Sequence, residues 1–163
     1  MSTEQALDLF FNPNGRIERT AFWIGFAVLT ALGVVLAAAR TFAVDENGAV
    51  VVLAVQAGLV YPAVCVYGKR LHDAGRTAWW TAAVLGAQLL VVSILSTLLV
   101  AAALQELQSV AASAETYRPL RNDVSRRLFA PLQVGGLFAA VAAAFVVSIL
   151  PSDPGPNRFG PPP

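Results

Sequence analysis

Cysteine and histidine each occur once in the 163 residues, as Cys65 and His72. A lone cysteine inside an apolar run excludes an intramolecular disulfide. With one thiol and one imidazole, a transition-metal site would need several clustered carboxylates, and the acidic residues do not cluster. Charge is scarce as well: 13% of residues are Asp, Glu, Lys or Arg, against about 25% in an ordinary soluble domain. A net charge of +1 excludes the strongly basic stripe of a nucleic-acid binder. Catalytic signatures are missing too, with no Gly-x-Ser-x-Gly elbow, no phosphate-cradling glycine loop and no His-Glu-x-x-His helix. His72 stands beside Asp73, but adjacency in sequence does not make a triad, which needs a nucleophile and partners oriented in space. No enzymatic activity, metal, cofactor or nucleic-acid partner is expected.

Apolar sequence is what the chain has in excess, at 56% hydrophobic residues and a mean hydropathy of +0.63. Four windows lack any Asp, Glu, Lys or Arg: Thr20 to Ala39, Asn47 to Gly68, Thr77 to Gln105 and Leu128 to Ser152. A hydrocarbon core of about 30 Å needs around 20 helical residues, so each window is long enough to cross it. Helices are placed at about 20–39, 49–67, 79–104 and 128–150. Barrel strands would alternate in polarity, whereas Val50-Val51-Val52-Leu53-Ala54-Val55 does not. The fold class expected is all-α: a multi-pass membrane protein, a four-transmembrane-helix bundle forming one membrane domain over residues 1–163. Residues 1–15 are read as an N-terminal segment, 105–127 as a loop, and 151–163 as a Pro-rich tail.

Ala37-Ala38-Ala39 could mimic a signal-peptidase site, but the apolar run before it exceeds the usual h-region of about 7–15 residues, so a retained span is expected. Pro62 should kink or end regular helix nearby, because it removes a backbone donor. Gly135, Ala139 and Ala143, with Gly136, Ala140 and Ala144 beside them, form small-residue ridges that let helix backbones approach closely. They read as a packing face within one bundle. Leu104, Leu107, Ala111 and Ala114 keep helical spacing, which would extend the third helix amphipathically until Pro119 interrupts it.

Four spans place the N-terminal segment, the connection between the second and third helices, and the C-terminal tail on one side. That side carries Arg16, Arg19, Lys69, Arg70, Arg76 and Arg158, and the other carries Arg40, Arg118, Arg121, Arg126 and Arg127. The first helix has Arg16 and Arg19 before it and Arg40, Asp45 and Glu46 after it, which favours an N-in, C-in orientation. Residues 105–127 would then be extracytoplasmic.

Three polar motifs fall on the shared side. Gly15-Arg16-Ile17-Glu18-Arg19-Thr20-Ala21-Phe22-Trp23 follows the turn-like Asn12-Pro13-Asn14; on a helix Arg16, Arg19 and Trp23 would share one side. Guanidinium groups above aromatics make an interfacial anchor. Gly68-Lys69-Arg70-Leu71-His72-Asp73-Ala74-Gly75-Arg76 precedes Trp79-Trp80, and Asp73 to Gly75 carries turn chemistry, with Gly75 free to take positive φ. Asp73 is expected to pair with Arg16, Arg19 or Arg70. Phe22, Trp23, Trp79 and Trp80 are read as interfacial aromatics. In the tail, proline density disfavours regular structure and makes disorder the default, although Asn157-Arg158-Phe159-Gly160 offers groups able to dock onto the loop.

Those motifs, in that order, resemble the bacterial inner-membrane family catalogued as domain of unknown function 805. The resemblance covers nearly the whole chain and implies a small multi-pass protein of the bacterial plasma membrane with no assigned biochemical activity. Family members often carry Arg where this chain has Lys69, and a Ser-Gly pair where it has Thr77-Ala78; the long 106–127 connection also departs from the pattern.

The function expected is non-catalytic. Arg16, Arg19, Lys69, Arg70, His72, Asp73, Arg76, Asn157 and Arg158 would form one polar site holding an anionic lipid headgroup or a partner such as a second copy or another membrane protein. Asp73 would orient the arginines. The alternative is a subunit of an oligomeric channel or transporter. No ionisable group lies within the four windows apart from the cysteine and tyrosines, and Gln56, Gln88, Ser93, Ser96 and Thr97 are accounted for by interhelical hydrogen bonds.

Overall fold

A computed structural model of the chain describes residues 2–42, 46–110 and 114–163. Asp45 and Ala111, which enter the charge and periodicity readings above, lie outside the described residues, as do the side chains at 40–49, 53, 106, 107 and 109–130. Among the described residues six helices follow one another: α1 (Thr3–Phe11), α2 (Arg19–Phe42), α3 (Glu46–Gly58), α4 (Val60–Asp73), α5 (Trp79–Val110) and α6 (Ala114–Ser148). Among the described residues there is no strand, only an isolated bridge between Asn157 and Gly160. The fold is all-α, and four stretches are long and apolar enough to cross a membrane: Arg19–Ala39, Val50–Asp73, Trp79–Gln105 and Pro131–Ser148.

The N-terminal segment is not featureless. Ser2 caps α1 by accepting the Gln5 amide at 3.2 Å, while the Gln5 side chain accepts the Ser2 amide at 2.8 Å, a reciprocal capping box. The helix stops at Asn12, whose backbone is extended because Pro13 follows it. Arg16 lies in the connection after α1, not on α2, so it does not share a helical face with Arg19 and Trp23.

The second apolar window is divided at Leu59. Pro62 cannot donate to the Gly58 carbonyl four residues back and its ring crowds that carbonyl; the Leu59 amide turns instead to Gln56 O at 3.1 Å. Beyond the break α4 does not end near residue 67 but runs through the whole basic stretch to Asp73. Its end is a Schellman closure: Gly75 N–H donates to His72 O at 3.0 Å and Arg76 N–H to Leu71 O at 2.8 Å. That closure puts Gly75 at φ +69, where any side chain is strained.

The 105–127 stretch is also helical where it is described. α5 continues to Val110, and α6 begins at Ala114 and passes through Pro119 without stopping. Charge on this stretch marks it as unsuited to lipid but does not break a helix, and Ala, Glu, Leu and Arg are good helix formers.

The chain divides into two compact units, one of Met1–Ala83 with Ala144–Pro163 and one of Val84–Ala143. In the second, a Cβ on Gly135 would overlap the Leu95 side chain, and one on Gly136 would meet Val92 at 4.0 Å, so this ridge packs on α5. Ser96 and Thr97 do not bridge helices; their hydroxyls donate to Ser93 O one turn back in α5, at 2.9 and 2.8 Å. In the first unit, Leu9, Phe22, Cys65, Val66, Tyr67 and Leu71 are buried together with the charged residues of α4. A Cβ on Gly25 would meet Val66 at 3.1 Å and Leu9 at 3.5 Å, which measures how closely α2 approaches α4 and α1.

Candidate functional site

The site lies within the first unit, at the C-terminal end of α4. Because α4 stays helical to Asp73, Arg70 and Asp73 stand one turn apart and face each other. Asp73 is fully buried and takes a guanidinium on each carboxylate oxygen. Oδ1 accepts Arg16 Nε at 3.1 Å and Nη2 at 2.9 Å, and Oδ2 accepts Arg70 Nη1. Arg16 and Arg70 side chains are themselves 1% and 0% exposed. Arg19 is not among the partners of Asp73; it stands exposed at the start of α2.

Both arginines then reach the C-terminal end of the chain. Arg70 Nη2 donates to Ser148 O at 3.0 Å and Leu150 O at 2.5 Å, and Nη1 to Ser152 Oγ at 3.0 Å. These carbonyls are the open acceptors at the end of α6, where the helix dipole favours a cation. Arg16 Nη1 donates to Gly155 O at 2.7 Å and Nη2 to Asp153 O at 2.5 Å. Among the described residues the Arg70 Nε has no hydrogen-bond partner.

The tail is ordered on this surface, contrary to the disorder its composition suggests. The Asp153 amide donates to Asp73 O at 2.8 Å, and Asn157 Nδ2 donates to His72 O at 3.0 Å. Asn157 and Gly160 exchange backbone hydrogen bonds at 3.1 and 3.0 Å, a tight reversal that sets Gly160 at φ +132. The turn lays Phe159 flat on His72, with ring centroids 3.9 Å apart and planes 7° apart, and the Arg158 guanidinium lies over the Phe159 ring at 4.7 Å. His72 Nδ1 donates to Gly15 O at 3.1 Å. Docking follows from local chemistry: proline removes competing regular structure, and the freed carbonyls are taken by buried arginines.

Lys69 serves a different contact. Its fully buried ammonium donates to Asp8 Oδ2 at 2.7 Å and Asp8 O at 2.6 Å, while Tyr61 OH donates to Phe11 O at 3.1 Å, so α4 holds the end of α1. Lys69, with the Asn12 amide, draws the Asp8 carboxyl below its ordinary pKa. Of the aromatics, Trp79 and Trp80 are exposed, and Arg76 lies over the Trp80 ring at 5.4 Å. Phe22 is not interfacial: it is fully buried, edge-on to Tyr67 at 5.3 Å and to Trp23 at 5.8 Å. Trp23 is half-buried and stacks edge-on against Phe26.

The structure therefore joins Arg16, Arg70, Asp73, His72 and Asn157 into one network and sends Lys69 to α1. Arg19, Arg76 and Arg158 remain exposed. The sequence reading gives no place to Asp8, Tyr61, Ser152 or Asp153, which act through pairings far apart in the chain. The one legible hint was Asn157 to Gly160. An open, mostly apolar groove of about 560 Å³ runs between α1 and the start of α2, lined by Asp8, Leu9, Ile17, Ala21 and Ile24 among others.

No curated protein and no solved structure matches this chain. One family model does, over residues 10–161, a stretch that contains all three motifs and every member of the buried network. The chain belongs to the family described as Protein of unknown function (DUF805).

Proposed function

We propose that this chain is a non-catalytic integral protein of the bacterial plasma membrane, N-in and C-in, that holds anionic lipid headgroups at one polar end. The observation that carries this reading is the division of labour among the basic residues. Arg16, Lys69 and Arg70 are buried with internal acceptors, whereas Arg19, Arg76 and Arg158 stay exposed on the same unit, with Trp79 and Trp80 exposed after the turn. The buried set shapes the end of the molecule, and the exposed set is left to meet phosphates. Apolar side chains in the groove beside α1 offer a bed for an acyl chain, which favours a lipid over a water-soluble ligand.

Native mass spectrometry of protein in nanodiscs tests the proposal. In phosphatidylglycerol the wild type should retain discrete lipid adducts. The Arg19→Gln, Arg76→Gln, Arg158→Gln variant should lose most of them while keeping its melting temperature. Equal adducts in the variant, or equal retention of phosphatidylcholine, would overturn it.

A further inference from the structure

Arg16 presents two edges. The inner edge, Nε and Nη2, closes on Asp73 Oδ1 at 3.1 and 2.9 Å. The outer edge, Nη1 and Nη2, grips three main-chain oxygens of the tail: Gly155 O at 2.7 Å, Asp153 O at 2.5 Å and, at the longer distance of 3.4 Å, Gly160 O. Two N–H groups side by side on a guanidinium are the geometry that receives two oxygens of one phosphate or carboxylate. Here they receive neutral carbonyls.

The ion pairs behind that edge are unbalanced in charge. Two buried guanidinium groups, Arg16 and Arg70, share the single carboxylate of Asp73. While docked, the tail adds the Asp153 carboxylate nearby: its Oδ2 accepts Asn157 Nδ2 at 3.3 Å and lies 3.7 Å from where a Cβ on Gly75 would stand. Among the described residues no ion pair joins Asp153 to an arginine. When the tail lifts, the Asp153 carboxylate and the Arg158 guanidinium leave together, and what is uncovered is a pair of guanidinium groups with a single carboxylate between them, which favours an incoming anion.

The tail is held mainly by polar contacts, which a competing anion can replace. Besides the two arginines, its grip on α4 is one amide to Asp73 O, one amide side chain to His72 O, and the Phe159 stack. No residue from 151 to 163 is fully buried, so little apolar surface opposes its release.

We propose that residues 151–163 are an internal occupant of an oxyanion site at the outer edge of Arg16, displaced when a phosphate group is presented there. The site requires Arg16, not Arg19, Arg76 or Arg158, so it stands or falls apart from the headgroup reading above. A free phosphate and a phospholipid headgroup share the chemistry.

Hydrogen exchange on the wild-type protein decides between them. Inorganic phosphate is added to micelles in one arm, and phosphatidylglycerol nanodiscs are compared with phosphatidylcholine nanodiscs in the other. Release should speed exchange of the Asp153 amide, which donates to Asp73 O, by about tenfold. Acceleration by inorganic phosphate assigns a free anion, and acceleration in phosphatidylglycerol alone assigns a headgroup; unchanged exchange in both arms overturns the site. A second measurement uses the Asn157→Ala, Phe159→Ala variant, in which Arg16 should become reactive to phenylglyoxal and be protected again by whichever probe released the tail. Persistent inertness of Arg16, or labelling that neither probe slows, also overturns it.

Discussion

Asp73 neutralises two arginines while having no exposed surface of its own, so its loss leaves two buried cations without a counter-charge. Removing one partner of a buried pair costs about 3–5 kcal/mol, and Asp73→Asn should lower stability by that order in denaturant titration in micelles. Arg16→Lys is a sharper probe. It keeps the charge but cannot hold Asp73 and two carbonyls at once, because an ammonium lacks the planar fork. The expected result is partial loss of stability together with fast exchange at the tail, rather than the general loosening expected of Asp73→Asn. The Asp8 and Lys69 contact adds a pH dependence. The Asp8 pKa is lowered in the folded state, so the stability it contributes is fully present above the unfolded value of about 3.9 and disappears as pH falls through the folded value. Below that point the Lys69 ammonium keeps only the Asp8 backbone carbonyl. Amide exchange across Thr3–Phe11 should therefore rise in acid, and Asp8→Asn should produce the same rise at neutral pH.

Elements were legible where one physical property dominated. Four charge-free windows gave four spans because lipid tolerates few charges over about 20 residues, and Pro62 gave the division at Leu59 because a missing donor acts locally. Gly75 was legible as a turn for the same reason. Its αL geometry predicts that Gly75→Ala costs about 1–2 kcal/mol, with faster exchange at the Arg76 amide as the readout. Elements were not legible where two signals competed. The basic run from Lys69 to Asp73 reads as a loop because it is polar, yet it stays helical because its charges are paired inside the protein. Residues 105–127 were read as a loop for the same reason, although helix propensity there is high. The pairing of Arg16 could be narrowed to Asp73 as one candidate anion, but its tail carbonyls lie 137 and 139 positions away and carry no side-chain signature.

At the scale of the whole molecule, the tail is bonded to the segment before α2, and four helices long and apolar enough to cross a membrane lead to the prediction that residues 2 and 163 face the same side. In a Cys65→Ala background, Ser2→Cys and Pro163→Cys should both react with a membrane-impermeant maleimide from one face only; labelling from opposite faces would remove the four-span count. Cys65 itself is buried and should stay inert in the native protein. The bonds from Arg16 to the tail also impose an order on biosynthesis. Arg16 precedes the first candidate span and its acceptors at 153 and 155 follow the fourth, so those bonds can close only after all four have been made. A chain interrupted before residue 153 should insert its helices yet keep only Asp73 as a partner for that cation. Such a truncated product should therefore turn over faster than the uncut chain in a pulse-chase measurement.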